Sequence, residues 1–416
     1  MSLLQEQLAG LRQRMARAAA DCDERIAARS AAARASFHHV EQWLSGGEVE
    51  TDFGRHFETE KIYEHHRRHG SADIGSLAGL PADLFAPLAI ASAPPEEWAF
   101  LDTETTGLAG GGGTRAFLVG VGRITPEGFR VRQFFMRDFH EEASLLAALT
   151  RHLEPFRVLI TYNGRAYDQP LLEARYQFHR ARPPFSGLDH LDLLYGARRL
   201  WKLRFESCRL MDLENAILGV ERHGDMPGAL IPYVYFEYLR TREAARLLPV
   251  FQHNATDILT LACLTAIVPY AFKDAASAPL KHGAEMAGIA RWLREAGQWE
   301  RALELFRRAL AAGLPDDLLF RTLWDIGMLE RKLGGDAAAI WIDLAASRNP
   351  FRVKALEELA KYYEHEAKNY AEALERTRQA RELEDSEPLR KREERLRRRI
   401  AGPARSGRER RRGLRS

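Results

Sequence analysis

Hydrophobic positions along this chain follow two regimes, with the change near residue 275. From Glu97 to Tyr270, short apolar runs alternate with stretches of helical period. Trp98–Asp102 is a continuous apolar run ending on an acid, the pattern of a strand covered on both faces. Ala116–Arg123 and Arg130–Arg137 alternate in the manner of strands, and the ThrProGluGly turn between them predicts a hairpin. Glu141–Leu153 is helix-periodic, Arg157–Tyr162 is a short strand, Tyr167–His179 is helical again, and a further strand surrounds Leu188–Leu194. Helices are expected through Leu200–Leu218 and His253–Tyr270. The pattern predicts an α/β domain over residues 97–274, with a mixed five-stranded sheet and flanking helices.

After Ala275–Pro279 the pattern becomes helical throughout. The segment starting at Gln298 recurs loosely from Gly335 and again from Asn369, and its anchors Trp299 and Tyr370 lie 71 residues apart. Two periods of about 35 residues match stacked helical hairpins of the tetratricopeptide kind, predicted here over 280–387. Upstream, Leu4, Leu8, Leu11, Met15, Cys22 and Ile26 outline an amphipathic helix within residues 1–36. Residues 37–96 read as an extension and linker; the histidines scattered through them, including His65, His66 and His69, read as solvated surface.

Composition changes this picture in one place. The 416 residues carry a formal net charge of +3, but Pro388–Ser416 holds 13 Lys/Arg against 3 Asp/Glu, so the rest of the chain is at −7. A basic tail over 388–416, read as helical at first and then disordered, is expected to attract phosphates without reading sequence. Cys22, Cys208 and Cys263 are scattered, which argues against a disulfide framework or a zinc site and fits a reducing cytoplasm. The sequence has no run of 18 uninterrupted apolar residues, so a membrane partner is not expected.

The candidate chemistry lies in acids. Asp102 and Glu104, in PheLeuAspThrGluThrThrGlyLeu, are two apart on a strand and so point the same way. Two like charges so placed repel unless a cation neutralises them, and a hard divalent ion such as Mg²⁺ or Mn²⁺ suits their oxygens. TyrAsnGlyArgAlaTyrAsp sets Asp168 at a helix start just after a strand, and HisAsnAlaThrAsp puts His253 and Asp257 on one helical face. Asp192 is a fifth acid near the sheet edge, weighed between a ligand and a structural role.

With these motifs in this order, the chain resembles the DEDD 3′→5′ exonucleases of the ribonuclease H-like superfamily. His190–Trp201 and Leu213–Gly228 narrow the resemblance to the bacterial YprB-type proteins, in which such a domain precedes tetratricopeptide-like repeats. The resemblance spans about residues 55 to 385 and is strongest over 98–270. It implies a ribonuclease H-like sheet and two Mg²⁺ or Mn²⁺ ions held by Asp102, Glu104, Asp168 and Asp257. It also implies His253 as general base, and a single-stranded DNA or RNA 3′ end, DNA slightly favoured, held by Thr105, Gly107, Leu108, Asn163 and Tyr167. Products would be nucleoside 5′-monophosphates, and the repeats would offer a surface to a protein partner. Two departures stand out: His253 precedes Asp257 by four residues rather than five, and Asn163 precedes Asp168 by five rather than four. The rival expectations are an inactive nucleic-acid-binding scaffold and an exoribonuclease.

Overall fold

The computed structural model describes residues 40–107, 113–278 and 280–401, together with Arg17. The expected N-terminal helix, Leu108 and the last fifteen residues lie outside the described residues. The chain forms two compact units, Met1–Ala278 and Pro279–Ser416.

In the first unit a mixed sheet is built from β1 (Gly46–Thr51), β2 (Gly54–Glu64), β5 (Trp98–Thr105), β6 (Ala116–Thr125), β7 (Gly128–Phe135), β8 (Val158–Thr161) and β9 (Asp189–Asp192). A separate two-stranded ribbon joins β3 (Arg68–His69) to β4 (Ala72–Asp73). The spatial order of the sheet is β1-β2-β7-β6-β5-β8-β9. Pairings from β1 through β5 are antiparallel, whereas β5, β8 and β9 run parallel. The sheet therefore has seven strands, not the five expected, because β1 and β2 come from the segment read as a linker. Their apolar signal is weak for a physical reason: β2 is joined to β7 by charge as well as backbone. Glu60 takes Arg130 at 2.8 Å and Arg132 at 3.2 Å across the strand pair.

The sheet edge that matters is the C-terminal end of the three parallel strands. The helix α1 (Glu142–Leu153) follows β7, α2 (Asp168–Phe178) follows β8, and α3 (Leu193–Trp201) starts directly at the end of β9. That last boundary corrects two expectations. The strand stops at Asp192 and the helix begins at once, while residues 202–209 are not helical and the expected helix resumes only as a short α-helical turn, Leu210–Leu213, running into a π-helical turn, Glu214–Leu218. Asp192 explains it, since its carboxylate caps α3 by accepting from Leu194 N at 3.1 Å. Two further helices complete the unit's core, α4 (Ile231–Thr241) and α5 (Leu248–Thr265), followed by α6 (Val268–Lys273). The stretch Ala244–Lys273 is long and apolar enough to cross a membrane, but 72% of its most apolar window is buried inside the protein. It is apolar all round because α5 lies against β5, β6 and β7.

Glycine permits that close packing. A Cβ on Gly120 would stand 2.2 Å from Asn254 Oδ1 and 2.3 Å from Ile258 Cδ1, so a side chain there would lift α5 off the sheet. On the opposite flank, buried Glu142 of α1 grips α2 through Arg175 at 2.6 Å and His179 at 2.8 Å, with Arg115 at 3.1 Å. Burial would raise the Glu142 pKa, but Arg175 and His179 outweigh it and hold the carboxyl below 4.5. A depressed carboxylate stabilises the fold above its unfolded pKa and loses that contribution as pH falls through the folded value. Thermal melts should therefore separate wild type from Glu142→Gln at neutral pH, and the gap should close as pH is lowered below 4.5. A gap unchanged across that range would place the stabilisation elsewhere.

The second unit is all-helical. Its described helices are α7 (Gly283–Glu295), α8 (Trp299–Ala311), α9 (Asp316–Lys332), α10 (Ala338–Ala346), α11 (Arg352–His365), α12 (Tyr370–Leu383) and α13 (Glu387–Ala401). Each packs on its neighbours in the chain. The first half of the basic tail is helical as expected, and as α13 it packs into the unit. Leu389 and Leu396 are buried, and Arg392, Arg395 and Arg399 all face Glu364, which is fully buried. Part of the tail's charge is thus spent inside the unit.

Candidate active site

The central strand β5 supplies the first two acids. Trp98, Ala99, Phe100 and Leu101 are each at most 1% exposed, and the strand then emerges at the edge with Asp102 and Glu104 half-buried. β8 runs parallel beside it, so the loop after β8 opens on the same edge and leads into α2, whose first residue is Asp168. α5 crosses the sheet from above and brings His253, Asn254 and Asp257.

Asp102, Glu104, Asp168 and Asp257 are close enough to feel one another's charge. Burial is the largest cause pushing Asp102 well above the ordinary carboxylate range, followed by the charges of Asp257 and Asp168. Glu104 is pushed up first by burial, then by Asp102, Asp257 and Asp168. Asp168 rises to about 6, again chiefly through burial, against a hydrogen bond from Thr103 Oγ1 at 2.6 Å. Asp257 is raised by burial, although His253 and Arg222 beside it pull the other way. Such a cluster is deficient in positive charge.

Several neighbours hold it in shape. Asn254, fully buried, donates Nδ2 to Asp102 Oδ2 at 2.8 Å. Gln133 of β7 fixes that amide by donating to Asn254 Oδ1 at 2.8 Å. His253 Nδ1 lies 2.9 Å from both Asp225 oxygens. A carboxylate only accepts, so Nδ1 carries the hydrogen and the lone pair of the neutral ring is on Nε2. That nitrogen lies 3.6 Å from Asp257 Oδ2. Burial lowers the His253 pKa, but the Asp225 hydrogen bond and the Asp257 charge outweigh it, so the net shift is upward.

Arg222 completes the centre. Its guanidinium is 8% exposed and reaches Glu214 at 2.5 Å, Asp225 at 3.0 Å and Asp257 Oδ1 at 2.6 Å. The last contact lacks hydrogen-bond alignment, so Asp257 Oδ1 is a buried oxygen with an unsatisfied lone pair. Behind it the contacts continue inward through Glu214 Oε1, which accepts from Thr260 at 2.7 Å and meets His69 Nε2 at 3.0 Å. His69 is therefore a buried anchor, which corrects its reading as solvated surface, while His65 and His66 are exposed.

The remaining expected residues divide. Asp192 is 4% exposed and its oxygens accept from the backbone N–H groups of Asn163, Arg165 and Leu194. It shapes the loop after β8. Asn163 has a left-handed backbone (φ 67°), which asparagine tolerates. Tyr167 is 61% exposed beside Asp168. Thr105 donates its hydroxyl to the Gly107 carbonyl at 2.8 Å, closing the turn after β5, and Leu108 lies outside the described residues.

Among the described residues, no three acids or histidines already stand close enough to hold an ion. The chemistry of the donors nevertheless fits a hard divalent cation: all four are carboxylates, they repel one another, and Asp257 Oδ1 lacks a hydrogen bond. Asp225, Arg222 and Asn254 were missed from the sequence. Arg222 and Asp225 sit in a loop without periodicity. Asn254 had one signal, a polar residue on the sheet side of an apolar helix.

Residues 99–268 match the profile of the RNase_H superfamily. An uncharacterized protein, YprB of Bacillus subtilis (strain 168), is 34% identical over 307 residues, covering 73% of each chain. The chain belongs to the ribonuclease H superfamily. Proteins of this superfamily are usually nucleases and usually use divalent metals, which accords with an acidic centre at the mouth of a mixed sheet.

Proposed function

We propose that the protein is a metal-dependent 3′→5′ exonuclease acting on single-stranded nucleic acid, with DNA slightly favoured over RNA. The observation that carries this reading is the convergence of Asp102, Glu104, Asp168 and Asp257 with carboxyls too crowded to be ionised comfortably without added cations. These four would hold Mg²⁺ or Mn²⁺, whose charge, once bound, would activate water and stabilise the leaving 3′-oxygen. His253, oriented by Asp225, takes the proton of the attacking water at Nε2. Thr105, Gly107, Asn163 and Tyr167 border the acids and would hold the terminal nucleotide. The decisive assay supplies end-labelled single-stranded DNA and RNA of matched sequence with Mn²⁺, Mg²⁺ or EDTA. Shortening from the 3′ end that persists in EDTA would refute the metal reading.

The second unit supports a partner platform of tetratricopeptide type, since α7, α9 and α11 start 33 and 36 residues apart. An inactive scaffold has one observation in its favour, the Arg222 guanidinium already lodged beside Asp257.

If His253 serves as base, His253→Ala should lose about 10²–10⁴-fold in kcat with KM nearly unchanged. Asp225→Asn keeps the imidazole but exchanges one of its carboxylate oxygens for an amide, so its loss should be smaller. A His253→Ala loss below about tenfold would assign proton removal elsewhere.

A further inference from the structure

We infer that the outward face of α3 is a binding track for the phosphodiester strand that leads into the carboxylate centre. The inference rests on the nuclease reading above and adds a second binding surface to it. Because β5, β8 and β9 run parallel, α3 begins on the same edge of the sheet as Asp102 and Glu104. Two strand spacings separate them, roughly 10 Å.

The helix presents one composition inward and another outward. Gly196, Ala197 and Leu200 are buried, and a Cβ on Gly196 would meet Val268 of α6 at 2.7 Å, which fixes the helix's rotation. Outward stand Tyr195, the adjacent pair Arg198 and Arg199 three and four residues on, and the C-cap Lys202 four and three residues beyond them, all exposed. They form a single stripe descending from the centre, with the aromatic nearest it. Tyr195 is 51% exposed, so its ring is not explained by the core. Beside the top of the stripe is the loop after β8, tied to the α3 cap by Asp192, carrying exposed Arg165 and exposed Tyr167.

Cations interleaved with exposed rings suit a single strand better than either feature alone. Arginine and lysine neutralise phosphates, while unpaired bases stack on aromatic faces without regard to sequence. The nearby acids are Asp192, whose oxygens take backbone N–H groups, and Asp212, which is bound by the Ser207 hydroxyl, while Lys202 Nζ donates to the Glu206 carbonyl at 3.1 Å. An acidic peptide would satisfy the cations and leave the rings unused.

The test compares wild type with Tyr195→Ala/Arg198→Ala/Lys202→Ala, after checking that both melt at the same temperature. Binding of an end-labelled oligothymidylate is measured in EDTA across a salt series. The variant should bind at least about tenfold more weakly, and its slope of log affinity on log salt should be shallower by about 0.7 for each phosphate contact removed. Tyr195→Phe alone should bind as wild type. Hydrolysis of the p-nitrophenyl ester of thymidine 5′-monophosphate with Mn²⁺, which reaches only the acidic centre, should keep its kcat and KM. Equal affinity and equal slope in the two proteins would overturn the track, as would an acidic peptide of matched charge displacing the oligonucleotide equally well. Failure of the wild type to hydrolyse the ester and the strand strikes the nuclease reading instead, and binding in EDTA keeps the two failures apart.

Discussion

Replacing Asp102 by Asn should remove hydrolysis while leaving the metal-free protein as stable as wild type or more so. The substitution keeps shape and keeps an oxygen for the Asn254 amide, which now donates to Asp102 Oδ2 at 2.8 Å. What it removes is charge at the most crowded point of the cluster. Asp102 is strained by burial first and then by Asp257 and Asp168, and Glu104 is strained by Asp102 in turn. Deleting one charge relieves its neighbours, so thermal melts in EDTA should shift up or not at all. Activity should respond the other way. Cations at such a centre supply several kcal/mol of transition-state stabilisation, so losing a ligand should cost about 10³-fold or more. Calorimetric titration with Mn²⁺ should show weakened binding in parallel. A variant that keeps full activity, or one that unfolds in EDTA, would mean that Asp102 is part of the framework and not of the chemistry.

The contrast between what the sequence discloses and what it hides has a physical basis. Asp102, Glu104, Asp168 and Asp257 were legible because each sits at a predictable place on a periodic element: a strand end, a helix start, one face of a helix. Periodicity also disclosed β5–β9 and the helices of the second unit, although their boundaries moved by a few residues where a cap decided them, as Asp192 does for α3. β1 and β2 were hidden because Glu58 and Glu60 face Arg130 and Arg132, so the strand pair carries salt bridges where the pattern looks for apolar alternation. In the basic tail the helix was legible but its packing was not. A run of charge reads as solvent-facing, yet α13 buries two leucines and directs three arginines to one carboxylate. Arg222 and Asp225 were hidden because they lie outside any periodic element, and their remote partners, Asp257 and His253, reach them only through the fold.

That remoteness makes Arg222 the residue whose removal should most damage stability. Its guanidinium, 8% exposed, is the cation shared by Glu214, Asp225 and Asp257, whose side chains are 1%, 14% and 17% exposed. Burial opposes its charge, but Asp257 and Glu214 outweigh that cost and keep it protonated. Arg222→Ala would strand three carboxylates around a small void. Removing one partner of a buried ion pair costs about 3–5 kcal/mol, because the desolvated charge left behind has no compensation. Urea denaturation in EDTA should show a loss of that order, with Arg222→Lys intermediate, since an ammonium restores charge but cannot reach three carboxylates in one plane. Divalent ions offer a second readout. With Arg222 gone, Asp257 has a greater need of positive charge, so Mn²⁺ should raise the variant's melting temperature by more than it raises that of wild type. A variant as stable as wild type in EDTA, or one indifferent to Mn²⁺, would show that Arg222 and the cation do not share Asp257.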